Sequence, residues 1–248
     1  YMMILDSDDG REWILLESDE EEDESVNYYS VLCIDIGVKH LGLAAMICDK
    51  ETYEFREVVG VDLMDITTFP HPDGVDKKSC CLNHAKTFAD WMEHVFVYYD
   101  IIFRKVDKIL IERQPPGGFV VVEQLIYSRY RHKCELIAPN SVHKFFKIGM
   151  YDYDERKEKV EEIARKKIDN PSVLAEFESF ERKHDMADAI CFGIFWLSKR
   201  HQEYLEEENI KRLRRMAIST GGRVPVGMDF GEWLKQFEYR PNKRNRII

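Results

Sequence analysis

Three apolar segments follow one another from residue 30 with almost no chain between them. No other feature constrains the fold as much. They read YSVLCIDIG, HLGLAAMICD and TYEFREVVGVDLM. Each has the length and the β-branched or aromatic content of a strand, and turn residues bound them: Gly37 after the first, Asp49 and Lys50 after the second. Connections this short join antiparallel neighbours, so the stretch predicts a β-meander.

The rest of the chain supplies one more layer of pattern. Residues 65–79 (DITTFPHPDGVDKKS) read as a loop. Over 81–103, Leu82, Ala85, Phe88, Ala89, Met92, Val95 and Phe96 recur at helical spacing, which predicts a helix able to cover one face of a sheet. VDKILIER is a fourth strand, VVVEQLIYSRYRHK a helix and CELIAP a short strand ended by Pro139. NSVHKFF opens a short helix capped by Asn140 or Ser141. DERKEKVEEIARKKIDN is a charged amphipathic helix stopped by Pro171, and KHDMADAICFGIFWLSKR is a mostly buried helix. This order predicts an α/β class chain, a mixed β-sheet (antiparallel meander, then parallel strands) flanked by α-helices.

Charge divides the 248 residues into three parts. Residues 6–25 hold eleven acids and one base, Arg11, a local charge of −10 that equals the net charge of the whole chain. Residues 1–28 are therefore expected to be an acidic, disordered tail, and 29–202 a domain near neutrality. Residues 203–248 read as a basic helical and loop extension; from Lys199 onward there are twelve Lys or Arg against seven Asp or Glu. No apolar run approaches the roughly 20 residues of a membrane span, and the first residues do not read as a signal peptide, so a membrane or secreted location is not expected. Six scattered cysteines (33, 48, 80, 81, 134 and 191) lack metal-ligand spacing and read as reduced thiols.

Four carboxylates stand where packing alone would not place them. The strand KILI runs straight into Glu112 and then turns through Pro115-Pro116-Gly117-Gly118. Asp35 ends the first buried strand, and Asp185 and Asp188 open an apolar helix three residues apart, able to share one face. Taken alone, that pair is well explained as helix-terminal acids. Together with Asp35 and Glu112 it needs more. If the first and fourth strands are neighbours, these charges approach one another and require a cation between them. Oxygen-only ligands favour Mg²⁺ or Mn²⁺, and two such ions about 3.5–4 Å apart form the clamp used in phosphodiester hydrolysis.

The motifs CIDIGVKHLG, ILIERQ and KHDMADAI resemble those of the RuvC-type branch of the RNase H-like nucleases, and most of all the poxvirus-type and fungal mitochondrial Holliday junction resolvases. The resemblance spans about residues 30–200 in the right order; the PPGG after Gln114 departs from it. It implies an RNase H-like fold, a homodimer, Mg²⁺ dependence with Mn²⁺ able to substitute, and two ions per active site. Asp35, Glu112, Asp185 and Asp188 would be the ligands. The activity implied is an endonuclease that resolves four-way DNA junctions by paired symmetric nicks, in DNA recombination or repair. The compartment implied is a viral replication site in the cytoplasm, or the nucleus.

Phosphate contact needs cations near such a centre. The candidates are Lys39, Arg113, Arg129, Arg131, Lys133, Lys144, Lys147 and Lys183. Two rival activities share parts of the pattern. An RNase H-like nuclease could act on flaps or RNA–DNA hybrids instead. An actin/Hsp70-like ATPase also begins with a strand followed by D-x-G, but it needs further glycine-rich phosphate loops, and no second D-x-G follows a strand here.

Overall fold

The protein is described by a computed structural model for residues 2–6, 12–16, 27–67 and 87–219. Most of the acidic segment, most of the 65–79 loop, the start of the 81–103 helix and the basic end beyond 219 lie outside the described residues. Within the acidic segment, β1 (Met2–Asp6) and β2 (Glu12–Leu16) pair antiparallel as a hairpin.

The meander is β3 (Tyr28–Ile36), β4 (His40–Asp49) and β5 (Phe55–Asp65). After it come α1 (Phe88–Tyr98), α2 (Asp100–Lys105), β6 (Lys108–Glu112), α3 (Val120–Arg129) and β7 (Cys134–Ile137). The chain continues through α4 (Pro139–Phe146), α5 (Tyr153–Arg165), α6 (Pro171–Ser179) and α7 (Lys183–Ser219). The main sheet has the order β5-β4-β3-β6-β7; β3 pairs antiparallel with β4 and parallel with β6, and β6 is parallel to β7. This is the mixed sheet, an antiparallel meander followed by parallel strands, that the order of segments predicts.

The near-continuous apolar character of β3 follows from burial on both faces. Val31 and Cys33 join one core with Ala44, Met46 and Leu110, covered by α4, α5, α6 and α7. Leu32, Ile34 and Ile36 join a second core with Leu41, Leu43, Met92, Phe96 and Phe103, covered by α1, α2 and α3. Cys33, Cys48 and Cys191 are buried free thiols. No helix among the described residues is long and apolar enough to cross a membrane.

Several boundaries depart from the sequence reading. The helix expected over 81–103 breaks at Tyr99, which caps both α1 and α2 with non-helical backbone. The N-cap of α4 is Ala138, with Pro139 in the first turn, rather than Asn140 or Ser141. Pro171 starts a helix instead of merely ending one: Asn170 accepts from the Ser172 N–H, and proline's fixed φ and missing N–H suit the first helical position. The last helix does not stop near Arg200 but runs on to Ser219, so no break in secondary structure marks residue 202.

Candidate functional site

The site forms at the carboxyl ends of β3 and β6. The parallel register sets Ile34 beside Ile111, so the next residues, Asp35 and Glu112, lie side by side. Each lies two residues beyond a member of the core beneath α7, Cys33 and Leu110, and so shares its face of the sheet, which turns both carboxylates toward that helix. Gly37 closes the β3–β4 turn through its N–H to the His40 carbonyl (2.8 Å). A Cβ there would meet that carbonyl at 3.0 Å, so close approach rather than a positive φ is what calls for glycine.

Two glycines seat α7 on the sheet. Gly42 is the cross-strand partner of Asp35. A Cβ at Gly42 would overlap the Asp185 carbonyl and come within 2.8 Å of the Met186 nitrogen. Farther along, a Cβ at Gly193 would lie 2.7 Å from the Cys33 sulfur. Only backbone this bare lets the first turns of α7 settle over the strand ends and bring Asp185 and Asp188 to Asp35 and Glu112.

Electrostatics shows the four acids acting on one another. Burial, followed by the charges of Asp188, Glu112 and Asp185, holds the Asp35 carboxyl well above its ordinary value. Burial also raises Glu112, against hydrogen bonds from the Ile36 N–H (3.2 Å) and from Gln114 Nε2 (2.5 Å). Asp35 and Glu112 also share a hydrogen bond, which ties the titration of the two carboxyls together. Asp188 is pushed up to about 7 by burial and then by Glu112 and Asp185, while Arg156 and Lys157 pull the other way. Buried Asp185 accepts from Arg182 Nε at 3.0 Å, and His184 Nε2 stands 3.0 Å from its other oxygen. Burial lowers the His184 pKa, against the pull of the Asp185 charge.

Among the described residues no three His, Cys, Asp or Glu side chains are arranged around one common point as ligands of an ion. Two of the four acids are turned to local partners: Asp185 to Arg182, Glu112 to Gln114 and Ile36. The donor set nonetheless suits a hard divalent cation. It is all carboxylate oxygen, and three members carry a raised pKa that a nearby cation would relieve.

The basic candidates fall on different parts of the fold. Lys39 and Arg113 are exposed at the ends of β3 and β6, and Lys183 opens α7 with an ion pair to Glu178 (3.7 Å). Lys144 and Lys147 are exposed on α4 and its left-handed C-cap; α4 runs along α7, with Phe145 against Phe195. Arg129, Arg131 and Lys133 are not brought to the acids. α3 carries the chain back to the opposite end of the sheet, where Lys133 Nζ donates to the carbonyls of Arg104 (2.8 Å) and Val106 (2.7 Å). Arg129 is paired with Glu93 (2.9 Å) and covers Phe96, and Arg131 lies over Tyr127. The sequence reading missed Arg156, Lys157 and Arg182. The first two sit in α5, whose dense charge pattern looks like a solvated face; only its packing on α7 brings them to Asp188.

No family model and no curated protein matches the chain. Among solved structures it is similar to the fowlpox virus resolvase in complex with substrate Holliday junction DNA, at 14% identity over 68% of this chain and 97% of that one, TM-score 0.49. It is similar to the fowlpox virus Holliday junction resolvase, at 14% identity over 68% and 99%, TM-score 0.48. It is also similar to RuvC of Thermus thermophilus in complex with Holliday junction substrate, at 13% identity over 71% and 97%, TM-score 0.42.

Proposed function

We propose that the protein is a metal-dependent endonuclease acting on branched DNA. Asp35, Glu112, Asp185 and Asp188 would hold Mg²⁺, with Mn²⁺ able to substitute and two ions per site. The observation that carries this reading is the meeting of four acids from β3, β6 and α7 in a buried setting that raises three of their pKa values. An unpaired buried carboxylate is costly, and a cluster of them more so, unless cations bind there.

When bound, divalent ions supply Lewis-acid stabilisation of a phosphodiester and lower the pKa of water. The chain's own residues do the remaining work. Lys39, Arg113 and the Arg156–Lys157 pair place positive charge around the acids, where a DNA backbone would otherwise be repelled. The Arg182 guanidinium holds Asp185 in place. The motif resemblance supports the four-way junction as substrate. It also supports a homodimer, since two opposed cuts call for two sites related by a twofold axis.

The test uses a synthetic four-way junction, a linear duplex, a flap and an RNA–DNA hybrid, each with Mg²⁺ or with chelator. Paired symmetric nicks on the junction, lost in chelator, are expected. Asp35→Asn should abolish cutting and keep junction binding. Preferential cutting of flaps or hybrids would reassign the substrate, and ATP turnover without DNA cleavage would refute the reading.

A further inference from the structure

The turn between β6 and α3 is organised around one side chain that no catalytic role yet explains. Gln114 donates through Nε2 to Glu112 Oε2 (2.5 Å) and to the Ile36 carbonyl (3.2 Å). Its Oε1 accepts the Phe119 N–H (3.1 Å), and its own backbone N–H donates to Glu123 Oε2 (2.6 Å). Two of the side-chain partners are acceptors and one is a donor, so a primary amide in a single orientation fits them all. A carboxylate would have no proton for Glu112, and an apolar side chain would leave all three partners unmet.

The surrounding turn is shaped to close over this amide. A Cβ at Gly118 would come within 2.9 Å of Gln114 Oε1, and Gly117 adopts a φ of +88°. Glu123, 4% exposed, holds the Gln114 backbone with one oxygen and the Gln124 amide (2.7 Å) with the other. Both donors to Glu112, Gln114 Nε2 and the Ile36 N–H, use the same oxygen, Oε2. Oε1 takes neither of these donors, and the further hydrogen bond of Glu112 is the one it shares with Asp35.

We infer that Gln114 is a positioning residue: it fixes which oxygen Glu112 offers to a cation and makes that choice depend on the seating of the 115–119 turn. The inference rests on the reading of Glu112 as a metal ligand. Groups that orient a ligand in this way commonly change metal affinity by 10- to 100-fold when lost.

Gln114→Met keeps the length of the side chain and removes its hydrogen bonds. In the full chain without DNA, Mn²⁺ binding followed by calorimetry should weaken by about tenfold or more. The half-saturating Mg²⁺ concentration for junction cutting should rise by a similar factor, with junction affinity in chelator unchanged. Gly118→Ala, which touches no acid, should shift metal affinity in the same direction by crowding Oε1. A purely structural role would lower the melting temperature and leave the metal midpoint where it was. Wild-type Mn²⁺ affinity in both variants overturns the inference alone. A wild-type protein that neither binds Mn²⁺ nor cuts DNA overturns the nuclease reading first, and this inference with it.

Discussion

Replacing Asp188 by Asn should stabilise the cation-free protein at pH 8 and fail to do so at pH 4. Burial and the neighbouring acids move the Asp188 carboxyl from 3.8 to about 7 in the folded chain. The unfolded chain releases that proton near 3.8. Between the two values the native state holds a proton that the unfolded state has lost, so stability falls as pH rises, and the full penalty is present above 7. About three pKa units correspond to roughly 4 kcal/mol. Asn has nearly the same shape and no charge, but its buried amide forfeits about 1–3 kcal/mol where partners are missing. The net gain at pH 8 is then about 1–3 kcal/mol, a rise of roughly 2–10 °C in Tm for a chain of this size.

Thermal or urea unfolding of both proteins in chelator at pH 4, 6 and 8 measures this directly. At pH 4 the folded wild-type carboxyl is protonated, only the amide's cost remains, and the variant should be equal or less stable. Adding Mg²⁺ at pH 8 should reverse the order. A ligand at 100 times its Kd adds about 3 kcal/mol to the wild type, and the variant should gain little. A stability difference that is the same at pH 4 and pH 8 would refute the buried, mutually repelling cluster on which the site rests.

Three further perturbations separate the parts of the site from its scaffold. Gly42→Val should lift the first turn of α7, costing about 1–3 kcal/mol in unfolding experiments and, in calorimetry, weakening Mn²⁺ binding. Lys157→Gln should weaken junction binding and reduce the slope of log affinity against log salt by about one, the signature of one lost phosphate contact. Lys133→Met should lower stability by about 1–2 kcal/mol, since two carbonyls at the end of α2 lose their donor, and leave junction cutting unchanged.

The parts of this molecule that could be read from the sequence are those where local pattern and three-dimensional role coincide. β3 announces itself because both its faces are covered, so almost every residue from Val31 to Ile36 is apolar and Asp35 stands out against them. Glu112 is exposed in the same way by KILI, and the meander's short turns force β3 to find its other neighbour from outside the meander. What could not be read is whatever depends on how far an element carries the chain. Arg129, Arg131 and Lys133 follow the Glu112 strand in sequence. Yet ten residues of α3 cover about 15 Å, back along the sheet to its other end. Arg156 and Lys157 are the reverse case. Nothing in DERKEKVEEI distinguishes two cations that reach Asp188 from the solvated ones beside them, because Val160 and Ala164 set only the helix face and not its neighbour.

Gln114 falls between these cases. Its place in the IERQ motif was visible, but its role needs the Phe119 N–H and the Ile36 carbonyl, contributed by separate segments. Of the two glycines after the prolines, Gly117 serves the backbone through its positive φ and Gly118 makes room for that amide and for Pro115. A Cβ at residue 118 would meet Gln114 Oε1 at 2.9 Å and the ring and carbonyl of Pro115 at 3.1 Å, so the amide adds to the turn's own crowding there. The departure of PPGG from the motif pattern is thus local to the contact that orients Glu112. Changes in this turn should therefore be felt as changes in metal affinity before they are felt in the fold.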